Sequence, residues 1–147
     1  SGDRTRRAKD VLAAHDNFYR AARFPGQHRC HRLDVNRRFA AEAAASIEHQ
    51  ARMSELLRTR LESTGWSMVN DSPFAVVCFT HPEIESGRTT VSEVVDRVVG
   101  SGRAWISQVR LSGPTAIALR ACITSHRTEP ADIDVLVGEL ERAIAAN

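Results

Sequence analysis

The chain has 147 residues, 42% of them hydrophobic, enough for one substantial core and hardly two. Its net charge of +2 conceals an asymmetry, because residues 1–38 carry 10 Lys+Arg against 4 Asp+Glu, and the remainder carries 10 against 14. No apolar run approaches the ~18 residues of a spanning helix and no signal-peptide pattern opens the chain, so no membrane partner and a cytoplasmic location are expected.

In chain order, the first element is a helix from Asp3 to about Arg23, with Val11, Leu12, His15, Phe18, Tyr19 and Ala22 near one stripe. This basic arm lacks the regular aromatic interleaving of a base-stacking surface. Its pattern fits docking against an acidic protein neighbour, and no nucleic-acid partner is expected. Pro25-Gly26 breaks it. A longer helix is predicted from Arg37 to Thr64, with Ala43, Ile47, Ala51, Ser54, Leu57 and Leu61 on one face and Gly65 as its stop. The boundary between arm and folded domain is therefore expected at residues 38/39, giving an arm over 1–38 and a domain over 39–147.

After Gly65 the period changes. "WSMVN" and "FAVVCFTH" flank "DSP", which predicts two short strands, the second a central one over Phe74 to Phe79. "TTVSEVVDRVVGSG" predicts a helix with a capping box between Thr90 and Glu93 and a stripe of Val91, Val94, Val95 and Val98. "RAWISQVRL" and "TAIALRACIT" predict two more strands. The last helix begins near Thr128, holds Pro130 in its first turn, and turns Ile133, Leu136, Val137, Leu140 and Ile144 inward. The sum is an α+β fold: an antiparallel-rich four-stranded sheet with helices packed on one face, preceded by a helical arm.

Of the three cysteines, Cys78 and Cys122 lie in apolar strand patterns, which predicts reduced, buried thiols rather than a disulfide framework. His28, Cys30 and His31 lie close together in "HRCH", but without a second ligand pair they read as solvated loop residues, and no metal site is expected. Gly100 to Gly102 precede a strand rather than a helix and so stop a helix instead of cradling a phosphate. Ser46 and His49 lack any nucleophile-elbow context and read as a surface helix face.

Arg120 is the residue that asks for a reason. Alternation sends Ile117, Leu119, Ala121 and Ile123 under the helices and Ala118, Arg120, Cys122 and Thr124 to the other face. A guanidinium among small residues either pairs with an internal acid or takes a carboxylate or phosphate in its planar fork. His126, before the last helix and near the same strand end, is either a helix-entry loop residue or a residue lining the interface.

Four stretches carry a resemblance. "LRACITSHRTEPADIDVLVGELERA" resembles the C-terminal end of the group II pyridoxal-phosphate-dependent decarboxylases, the family acting on glutamate, aromatic amino acids and diaminobutyrate. "IEHQARMSELLRTRL", "GWSMVNDSPFAVVCF" and "SGRAWISQVRL" are similar to the helix and strands that come before it in the family. The resemblance covers roughly residues 40–146. It implies the small C-terminal domain of a fold-type-I enzyme, dimeric, with active sites near the subunit interface. It further implies for Arg120 contact with a substrate carboxylate, as in some glutamate-specific members. The cofactor chemistry needs a lysine, an acid facing the pyridine nitrogen and a group stacked on the ring, which in the family belong to the large domain. The only lysine here, Lys9, is in no motif resembling the family's His-Lys pair, and Tyr19 does not match its mobile-loop tyrosine.

The resemblance thus implies a subunit or fragment of a decarboxylase that acts on an amino-acid substrate. Pyridoxal phosphate (PLP) would be bound mainly by a large partner chain, within a dimer or higher hetero-oligomer. On this reading Arg120 and His126 are substrate-binding residues, and the chain supplies no catalytic, cofactor-binding or metal-binding residue. The alternative of another class is a non-catalytic α+β regulatory or scaffold module with the same fold.

Overall fold

Hydrophobic periodicity becomes a layered structure in the computed structural model, which describes residues 29–112 and 117–146, with side chains from Arg38 onward. The element order is α1 (Arg29–Ser63), β1 (Ser67–Met68), β2 (Val76–Thr80), α2 (Pro82–Glu85), α3 (Val91–Gly100), β3 (Ser107–Arg110), β4 (Ile117–Cys122) and α4 (Pro130–Ala145). The four strands form one sheet in the order β1-β2-β4-β3, antiparallel at every pairing.

Inward-facing Val77, Phe79, Leu119 and Ala121 join one buried cluster with Leu57 and Leu61 of α1, Val94 and Val98 of α3, and Ile133, Val137, Leu140 and Ala143 of α4. α1 lies against β1 and β2, α3 against β3 and β4, and α4 packs on both helices. The predicted α+β fold with helices on one sheet face is the observed one.

Local signals explain the boundaries. α1 ends in a Schellman arrangement: Trp66 N–H donates to the Leu61 carbonyl at 3.0 Å and Gly65 N–H to that of Glu62 at 3.3 Å. Gly65 sits at φ 92°, a conformation that a Cβ would strain. Trp66 then turns into the core beside Leu61, edge-on to Phe79 at a 5.4 Å centroid distance, and its Nε1 donates to Glu141 Oε1 of α4 at 2.7 Å. α3 opens on the predicted capping box, Glu93 N–H donating to Thr90 Oγ1 while Glu93 Oε2 accepts from Thr90 N–H. α4 carries Pro130 at its start, preceded by Glu129.

Several expectations need correction. α1 begins at Arg29 rather than Arg37 and runs through residues 38 and 39 without a break, because no proline or glycine stands between Gly26 and Gly65. Cys30 and His31 consequently fall in a helix instead of a loop; His28 and the arm helix over Asp3 to Arg23 lie outside the described residues. On α1 the predicted inner stripe is buried only at its C-terminal end. Ser54, Leu57 and Leu61 are buried, whereas Ala43 and Ile47 are exposed where the helix overhangs the sheet. β2 starts at Val76, and Phe74 is exposed, because a tight turn from the Phe74 carbonyl to Val76 N–H at 2.7 Å precedes the strand. The four-residue α2 was not foreseen; His81 caps it through Nδ1, which accepts from Glu83 N–H. Of the two strand thiols only Cys78 is buried; Cys122, at the end of β4, is exposed.

Candidate functional site

The strand registers place Cys78, Arg120 and Ser107 in one row across β2, β4 and β3. Cross-strand partners share a sheet face, and Leu119 and Ala121 point into the core, so this row lies on the face away from the helices. Ala118, Thr80 and Cys78 on that face are buried, and Arg120 among them is half-buried.

Arg120 pairs with no acid among the described residues. Its Nε donates to Ser107 Oγ at 3.1 Å. The neighbouring Cys78 thiol is pushed up by burial, which outweighs the opposite pull of the Arg120 and Arg58 charges. A neutral thiol does not cancel a guanidinium, so the charge at Arg120 is uncompensated by the row it sits in. A half-buried cation on a small-residue face can take a planar oxyanion through its fork.

His126 is exposed in the turn between β4 and α4. No bond joins it to Arg120 among the described residues. What holds its turn was missed from sequence: His49 Nε2 donates to the Thr128 carbonyl at 2.7 Å, and Gln50 Nε2 donates to that of Thr124 at 2.7 Å. These side chains bind the β4–α4 connection to α1 from either end. His49 is thus an anchor rather than a plain surface residue.

Arg58 was missed as well. It is 2% exposed, and its two Nη groups donate to the carbonyls of Asn70 (3.0 Å), Ser72 (3.3 Å) and Val76 (3.2 Å), binding the β1–β2 turn to α1. Asn70 completes the turn: its Nδ2 donates to the Val76 carbonyl at 3.0 Å and its Oδ1 accepts from Cys78 N–H at 2.8 Å. The signal was available, since Arg58 stands four residues after Ser54 and three before Leu61, on the inner face of α1. A charge at such a position requires buried acceptors.

Among the described residues no group of three or more His, Cys, Asp and Glu side chains is placed to hold a metal ion, and no helix is long and apolar enough to cross a membrane.

Neither a protein-family model nor a curated protein matches the chain. Solved structures do. Tryptophan decarboxylase from Catharanthus roseus, in complex with L-tryptophan, is similar at TM-score 0.62 and 18% identity, over 74% of this chain and 24% of that one. Oryza sativa TDC with PLP and tryptamine gives TM-score 0.60 and 17% identity, over 73% and 24%. The cysteine desulfurase CsdA from Escherichia coli gives 0.56 and 14%, over 69% and 26%. The chain therefore spans about a quarter of the length of these proteins. Because a desulfurase shares the architecture with the decarboxylases, the architecture by itself names no reaction. The chain has the fold of a part of PLP-dependent decarboxylases of fold type I.

Proposed function

We propose that this chain is the C-terminal subunit or fragment of a PLP-dependent amino-acid decarboxylase, completing the substrate pocket and the assembly interface of a large partner chain. The observation that carries the reading is Arg120: a half-buried guanidinium on the sheet face opposite the helices, bonded to Ser107 and to no carboxylate among the described residues. Supporting it are the fold and the fact that the chain spans about a quarter of the solved decarboxylase chains it matches.

Covalent PLP chemistry requires a lysine amine. The described residues include no lysine, and the one in the chain, Lys9, lies outside them. The described residues therefore do not fit the cofactor's attachment site, and the large chain is assigned that lysine and the bond cleavage. The role left to this chain is binding and orientation: Arg120 receives the substrate carboxylate, and the turn carrying His126, fixed to α1 by His49 and Gln50, borders the interface.

The test is co-purification with a large decarboxylase chain, followed by Arg120→Met, which keeps the aliphatic stem and removes the fork. The expected result is a loss of about 2–4 kcal/mol in kcat/KM with assembly intact. Dissociation of the complex would give Arg120 an anchoring role instead. Unchanged activity in a stable complex would overturn the reading.

A further inference from the structure

A guanidinium offers an oxyanion two bidentate edges, one using Nε and one Nη, the other using both Nη groups. At Arg120 the first edge is taken, because Nε already donates to Ser107 Oγ at 3.1 Å. Ser107 and Arg120 are direct partners in the β3–β4 register, so the tether is a short side chain with one rotor on a paired strand. No buried side-chain nitrogen or oxygen among the described residues lacks a partner. The Nη groups of Arg120 have no hydrogen-bond partner among these residues.

We propose that Ser107 is a positioning residue: by occupying Nε, it makes Arg120 take a carboxylate end-on, through Nη1 and Nη2. This rests on the reading of Arg120 as the substrate-carboxylate contact and adds how the contact is made. The ligand class is a carboxylate approaching along the axis of the arginine side chain, away from the helices. Holding Nε also restricts rotation of the fork before the anion arrives, so less conformational entropy is lost on binding.

The experiment is a titration of the full chain with glutarate, followed through the arginine side-chain NMR resonances. Wild type should bind the probe, with the Arg120 Nε proton protected from exchange. Ser107→Ala should remove that protection and weaken binding about fivefold, the worth of one hydrogen bond. Ser107→Thr, which keeps the hydroxyl, should restore both. If alanine here does not fold, as judged by circular dichroism, Ser107→Cys provides a side chain of similar size and poor acceptor strength. Arg120→Met should abolish binding. Loss of binding in Arg120→Met with unchanged affinity in the Ser107 variants would overturn the positioning role and leave the Arg120 reading standing. Binding unaltered in Arg120→Met, or no binding by wild type, would overturn the Arg120 reading and the positioning role with it.

Discussion

Replacing Arg58 by methionine should destabilise the domain more than any surface arginine could. The stem would still fill its place on the inner face of α1, but the guanidinium contacts to the β1–β2 turn would be gone. Of the three carbonyls it serves, that of Val76 keeps the Asn70 Nδ2 donor at 3.0 Å, whereas those of Asn70 and Ser72 lose the Arg58 bond. An acceptor left unpaired in a buried setting costs about 1–3 kcal/mol, and both residues are half-buried, which favours the lower part of that range. The expected loss is about 2–4 kcal/mol, read from urea unfolding as a lower midpoint at unchanged slope. Arg58→Lys should fall between, since an ammonium can reach some of these carbonyls but lacks the fork that spans them. A loss below about 0.5 kcal/mol for the methionine variant would be that of an ordinary surface substitution and would refute the argument that the guanidinium holds the turn.

The helix α3 should carry an acid-sensitive cap. Hydrogen bonds from the Thr90 hydroxyl and then the Thr90 N–H hold the Glu93 carboxyl below its usual 4.5, so its contribution is fully present above that value and is lost as pH falls through the lower folded value. Glu93→Gln should flatten this part of the pH–stability curve, and an unchanged acid limb would contradict the assignment. The strand thiols should separate by reactivity in a Cys30→Ser background. Exposed Cys122 should react rapidly with a disulfide reagent, and buried, pKa-raised Cys78 should react slowly until the chain unfolds. Arg120→Met should slow Cys78 further, because Arg120 lowers that thiol's pKa; equal rates for the two thiols would contradict their placement.

Apart from the four-residue α2, the types and order of the described elements were legible in the sequence because they rest on short-range chemistry. The capping box of α3, the glycine stop after α1, the proline at the start of α4 and the alternation along β4 each involve residues within a few positions of one another. Arg120 was singled out for the same reason: a charge at an alternating position is visible without knowing the partner strands. What surrounds that charge was not legible. Ser107 is thirteen residues away along the chain, and the internal acid that the sequence allowed is not what the register delivers among the described residues. The anchors from His49 and Gln50 to the β4–α4 connection, and from Trp66 to Glu141, span more than seventy positions, and no local pattern encodes which carbonyl or carboxylate arrives there. Arg58 belongs to both kinds. Its inward position follows from helical period, but its acceptors exist only once β1 and β2 have folded against α1.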